Sequence, residues 1–231
     1  MEEFLFDDVL NQALVNINGD NVETINILLM LTLISLLPSI IIMMTSFARI
    51  VIVLSFLRNA MGLQQTPPNM ILIGIAIFLT LFIMNPVIDE INETAYQPFL
   101  REEITQAEAI ETGGIPLKKF MLKQTEPRPL NMFLNFSNTP RPEDEDGLLE
   151  LPMSIVIPSF ITSELGRAFW MGFLLYIPFL LIDIVVASTL MSMGMIMLPP
   201  AMISMPFKLL LFIILDGWGL LFDTLFRGFN L

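Results

Sequence analysis

The sequence predicts an all-α protein built of membrane-type helical hairpins, two of them, joined by a mostly helical insertion. Three observations predict it. Hydrophobic residues make up 55% of the 231 and charged residues only 15%, where soluble domains carry roughly 45–50% and about 25%. The apolar residues gather into four blocks without alternation, and uncharged runs of this length read as helices rather than strands. A proline pair separates the blocks of each half, Pro67-Pro68 in the first and Pro199-Pro200 in the second. Such pairs end one helix and suit the first turn of the next.

Residues 1–24 form an acidic N-terminal segment, with six acids and no base. Met1 is followed by acids rather than by a basic and then apolar stretch, so no signal peptide is visible; either it was removed or the chain inserts without one. Residues 25–87 form the first hairpin. Its first block runs from Ile25 to Leu57, broken by Pro38 and Arg49, and its second from Met70 to Met84, ending at Asn85-Pro86. The first block would be roughly 50 Å long and the second about 22 Å, against a hydrocarbon core of about 30 Å. Tilting, kinking or snorkelling would meet this mismatch; so would packing mainly against other protein.

Residues 88–167 form an insertion with seven bases and fourteen acids. A helical stretch over 89–110 closes at Gly113-Gly114, Ile115-Pro116 starts a short basic helix, and 126–147 is Pro-rich, acidic and loop-like. Pro158 starts a helix that leads into the third block. Residues 168–231 form the second hairpin, its blocks running from Ala168 to about Met197 and from Ala201 to about Leu225. The acid-rich N-terminus and insertion place themselves outside, and the loops near 58–69 and 194–200 inside.

Several chemistries are excluded. The formal net charge of −12 leaves nothing to neutralise a run of phosphates, so nucleic acid is not a partner. The chain has no Cys and no His, which removes thiolate chemistry, disulfides and most zinc or iron sites. No cofactor is expected, and no phosphate-binding glycine loop is present.

Two features remain that could carry function. Met191, Met193, Met195, Met197, Met202 and Met205 fall within 19 residues. The first four recur at every second position, which scatters them around a helix but aligns them along an extended loop. Thioethers are unbranched and polarizable, so such a loop suits a soft apolar seal; core filling at a hairpin turn accounts for the same residues. The second feature is charge within the apolar blocks: Arg49, Asp183, Lys208 and Asp216. Facing lipid they would be costly, and their signs allow buried pairing. Lys208 and Asp216, eight apart, fall on one side of a continuous helix. Two aspartates on apolar helices also suit an intramembrane aspartyl protease, but neither Ile182-Asp183-Ile184 nor Leu215-Asp216-Gly217 has the glycine-framed aspartate expected of that class, and the bases nearby favour both carboxylates staying ionised. Broken helices with buried charge suit a small-solute or ion transporter, which the low helix number weakens.

The stretch from Met44 through Phe47-Ala48-Arg49-Ile50-Val51 to Leu57-Arg58-Asn59-Ala60, and on to Gln64-Gln65-Thr66-Pro67-Pro68-Asn69, resembles the FliP family of flagellar biosynthesis proteins. So do Phe160-Ile161-Thr162-Ser163-Glu164-Leu165, Ile177-Pro178-Phe179 to Asp183, and Val186-Ala187-Ser188 through Pro199-Pro200 to Lys208 and Leu215-Asp216-Gly217-Trp218. The resemblance runs over nearly the whole chain from about residue 25. It implies a non-enzymatic, pore-forming subunit of the type III export gate, in the flagellar basal body at the bacterial inner membrane, with the insertion periplasmic. It also implies a hetero-oligomeric helical pore complex of further copies with FliQ-like and FliR-like subunits, an FlhB-like export switch protein, unfolded flagellar proteins as cargo, and membrane lipid. Much of such an assembly stands above the membrane plane. The family's methionine gasket matches Met195, Ile196 and Met197, with isoleucine in the middle and Met191 and Met193 as flanks.

Overall fold

The computed structural model describes residues 42–63, 66–142, 144–195 and 197–229, with 31, 32, 35, 36 and 39. The acidic segment 1–24, the first block up to residue 41 apart from those positions, and Ile196 lie outside the described residues. The chain divides into two units, Met1–Ile42 and Met43–Leu231; the fold below is that of the second. Among the described residues every regular element is helical.

The order is α1 (Phe47–Ala60), α2 (Asn69–Leu100), α3 (Gln106–Gln124), α4 (Pro127–Phe136), α5 (Glu145–Glu150), α6 (Met153–Ser192), α7 (Pro200–Ile214) and α8 (Gly217–Arg227). α6 is the axis of the unit. Its 40 residues extend about 60 Å, and α1, α3, α4 and α7 all pack against it. The contact stripe of α6 is Val156, Phe160, Glu164, Ala168 and Gly172, every fourth residue and all buried. That spacing keeps side chains on one helix face. α1 answers with Arg49, Val53 and Leu57 on one row and Ile50 and Leu54 on the next, all buried.

Close approach of the two helices depends on Gly172. A Cβ there would stand 2.5 Å from Cγ of Phe56, whose ring is held edge-on against Phe169 at 5.5 Å. Gly172→Ala is therefore expected to destabilise by about 1–3 kcal/mol through overpacking. Thermal unfolding of the purified chain in detergent checks this, and Phe56→Leu in the same background should recover part of the loss.

Single prolines do not end these helices. The second block runs past Asn85-Pro86, because α2 continues to Leu100 through a π-helical turn at Asn92–Tyr96. Pro116 lies inside α3, Pro158 and Pro178 inside α6, and Pro206 inside α7. Each removes one helical donor, and burial of neighbours such as Met84 and Val87 outweighs it. Gly113-Gly114 does not close a helix either. The Gly113 Cα lies where an added Cβ would be 3.3 Å from Cβ of Ala95, so the glycine lets α3 approach the π turn.

α3 starts instead at Thr105, whose hydroxyl accepts from the Glu108 N–H at 3.3 Å while Glu108 accepts from the Thr105 N–H at 2.8 Å, a reciprocal cap. The Thr105 backbone N–H, and then its hydroxyl, hold the Glu108 carboxyl below the usual range. The span 126–147 is also not wholly loop. Pro127 and Pro129 open α4, where a missing N–H is harmless, and Leu130 and Leu134 bury beneath it. α6 crosses residue 167, so insertion and second hairpin share one helix.

α2 and α6 are each long and apolar enough to cross a membrane, and α7 with α8 passes the same test as a pair bent by 65°. Much of their surface is apolar and exposed within this chain: Phe78 and Phe82 on α2, Trp170 and Phe173 on α6, Ile213 and Ile214 on α7.

Candidate functional site

Two buried cations lock α1 to the rest of the unit. Arg49, in the first turn of α1, is fully buried. Its Nε donates to Glu164 Oε2 at 2.7 Å, its Nη2 pairs with Glu164 Oε1, and its Nη1 donates to the Gly228 carbonyl at 2.6 Å. The guanidinium also lies over the Phe229 ring, 3.7 Å from the centroid. Phe229 in turn stacks on Phe120 of α3. The fork geometry of arginine suits this two-point grip on a carboxylate. One side chain thus joins α1, α6 and the residues after α8.

The second cation is Lys208 on α7. Its Nζ donates to Asp183 Oδ2 at 2.6 Å and to the Ala60 carbonyl at 3.0 Å. Ser204 donates to the other carboxylate oxygen, Oδ1, at 2.5 Å. Ala60 is the last residue of α1, so Lys208 satisfies an orphan carbonyl at the negative end of that helix. The hairpin α6–α7 is clasped to the C-terminus of α1.

Of the four charges singled out in the sequence, then, Asp183 and Lys208 meet, Arg49 pairs with Glu164, and Asp216 joins neither. The expectation that Lys208 and Asp216 share a side assumed a continuous helix. The helix breaks at Leu215, and Asp216 takes a left-handed backbone, φ 48°, at the bend before α8. Asp216 is exposed there, past the end of α7 and more than a helical turn beyond Lys208. Asp183 is committed to Lys208 and Ser204, so the two aspartates do not share a proton and the protease arrangement fails. Glu164 was the partner sequence reasoning missed. Its signal was position: it is the one charged residue on the five-residue, every-fourth-position stripe of α6.

The prolines lie at helix starts. Pro67 and Pro68 fall between α1 and α2, with Pro68 capping α2; Arg58 Nη1 donates to the Asn69 side-chain carbonyl at 2.5 Å across that turn. Pro199 caps α7 and Pro200 is its first residue.

The methionine-rich turn lies between α6 and α7. α6 runs through Met191 and ends at Ser192, so the four alternating methionines do not share one extended strand. Met191 is on the helix, Met193 at its cap, and Met195 and Met197 in the loop. The Gly194 N–H donates to the Met191 carbonyl at 3.0 Å and the Met195 N–H to Leu190 at 2.9 Å. With Gly194 at φ 76°, this is a Schellman closure, and the left-handed position favours glycine. The backbone is pinned while the thioethers point away from the core: Met193 is 71% and Met197 97% exposed, and Met191, Met195 and Met202 are exposed as well.

An apolar cavity of about 310 Å³ lies among α1, α6, α7 and α8, bounded by Val53, Leu57, Phe179, Phe212 and Leu221. It offers no row of polar groups to a small polar solute, which leaves the transporter reading unsupported.

These features define an all-helical protein of membrane type, clamped internally by buried ion pairs and presenting an exposed thioether loop. A model of the FliP family matches residues 30–225, and the chain belongs to the FliP family. It is 49% identical to the flagellar biosynthetic protein FliP of Bacillus subtilis (strain 168), over 90% of this chain and 92% of that one. The same named protein of Aquifex aeolicus (strain VF5) is 49% identical over 92% of this chain and 88% of its own. That of Treponema denticola is 49% identical over 92% and 78%.

Proposed function

We propose that this chain is a non-enzymatic, pore-forming subunit of the flagellar protein export gate, acting in the bacterial inner membrane at the flagellar basal body. Further copies and FliQ-like and FliR-like subunits cover its exposed apolar helix faces, and an FlhB-like switch protein joins them. Unfolded flagellar proteins are the cargo, moved by energy from other subunits and the proton gradient.

The observation that carries this reading is the pinned loop with outward thioethers. Repeated around an axis, Met195, Ile196 and Met197, flanked by Met191 and Met193, form an apolar ring. Such a ring excludes water and ions at rest, yet unbranched thioethers adapt to passing side chains of varied shape. The buried nodes Arg49–Glu164 and Lys208–Asp183 hold each protomer's helices in register so that the loops meet at one height. Met195→Gln with Met197→Gln is expected to raise ion leak across the membrane several-fold while the protein still co-purifies with its neighbouring subunits. Conductance in reconstituted liposomes measures it, and unchanged leak would sink the gasket.

A further inference from the structure

The exposed thioethers carry a second consequence, which rests on the gasket reading. Met43, Met70, Met132, Met191, Met193, Met195, Met197 and Met202 are exposed, while Met44, Met61, Met84 and Met121 are buried. Among the described residues, five of the eight exposed methionines therefore fall within twelve residues of one hairpin tip. The backbone of Met191, Met193 and Met195 is fixed by the Gly194 closure, so their sulfurs cannot retreat into the core without disturbing its two hydrogen bonds. Susceptibility of a thioether to peroxide follows its exposure, and oxidation turns a flexible apolar side chain into a polar, chiral one.

We infer that Met193, Met195 and Met197, with Met191 and Met202 beside them, form an oxidation site through which hydrogen peroxide loosens the seal. The sulfur lone pair attacks one peroxide oxygen; the S–O bond forms as the O–O bond breaks. The departing hydroxide takes the proton from the new S–OH group and leaves as water. Sulfur loses two electrons and the peroxide oxygen gains them, so the products are one sulfoxide and one water. Several sulfoxide dipoles facing one axis offer water the partners that bare thioethers deny it. A sulfoxide reductase supplied with a dithiol reverses the change, which makes the device a reversible one.

The test uses the chain purified from its native membrane with whatever subunits accompany it, reconstituted in liposomes. Peroxide is titrated, oxidised methionines are mapped by peptide mass spectrometry, and ion leak is followed. The expected result is that the peptide holding 191–202 gains oxygen before those holding Met61, Met84 and Met121. Leak should rise several-fold in step with it and fall again after reductase treatment. Leak in the Met193→Leu/Met195→Leu/Met197→Leu variant should change far less on peroxide than that of the unaltered protein, since leucine keeps the volume and cannot be oxidised. Met70→Leu/Met132→Leu should still respond. Oxidation spread evenly over buried and exposed methionines overturns the inference, and so does a fully oxidised loop with unchanged leak. If the glutamine variants raise leak but peroxide does not, the gasket stands and the oxidation site falls; if neither acts, the gasket itself falls.

Discussion

Glu164→Ala is expected to remove about 3–5 kcal/mol of folding stability, a large share of the roughly 5–15 kcal/mol that holds an ordinary domain together. The size follows from what is left behind. Arg49 is fully buried, and without the carboxylate its charge would keep only the Gly228 carbonyl and the Phe229 face. Neither neutralises a cation. Arg49→Leu should fall in the same range, because it strands the equally buried Glu164. The double variant Arg49→Leu/Glu164→Leu is the informative one. An apolar pair can replace a buried ion pair at little net loss, so its melting temperature should recover most of the way. Its C-terminus should not recover, because the Arg49 bond to Gly228 is gone, and residues after α8 should become sensitive to carboxypeptidase. Thermal unfolding in detergent with limited proteolysis measures both. Single losses that simply add in the double variant would show that the two side chains do not act as one unit.

This node also marks how far the sequence could be read. Fold class was legible because it depends only on where apolar residues fall, and the absence of alternation excluded strands. The paired prolines at 67–68 and 199–200 could be read as helix starts because two adjacent rings deny both the hydrogen bond and the preceding residue's helical geometry. Single prolines were misread. Pro86, Pro116 and Pro158 each cost a local bond, but whether that bounds a helix depends on packing that lies elsewhere in the chain. Gly113 was misread for the same reason: its purpose is Ala95, which stands on another helix.

Charge was half legible. A charged residue in an apolar block must find a partner, and the sequence shows which residues have that need. It does not show the pairing, since Arg49 and Glu164 are 115 positions apart. The i, i+4 stripe on α6 would have nominated Glu164, because a stripe ending in Ala168 and Gly172 announces close packing against another helix. Asp216 failed in the opposite way. Its spacing from Lys208 was right for a straight helix, and the left-handed backbone at 216 cancelled it.

At the second node, the two partners differ in how well water can rescue them, and this orders the outcomes. The Lys208 side chain is 4% exposed and that of Asp183 29%. Removing the lysine strands a carboxylate that still has Ser204 and some solvent. Removing the carboxylate's charge leaves the lysine with neutral acceptors alone, the Ala60 carbonyl and the new amide oxygen, and no counter-charge. Asp183→Asn is therefore expected to cost more than Lys208→Met, about 3–5 kcal/mol against about 2–3 kcal/mol. The methionine variant keeps the unbranched stem and so isolates charge from packing. Lys208→Arg should not rescue, because a planar fork cannot reach Ala60 and Asp183 from a pocket shaped for a compact ammonium. Melting temperatures of the three variants in detergent give the order. If Lys208→Met were the most damaging, the lysine's hold on the end of α1 would outweigh its pairing with Asp183, and the clasp would be a helix cap first and an ion pair second.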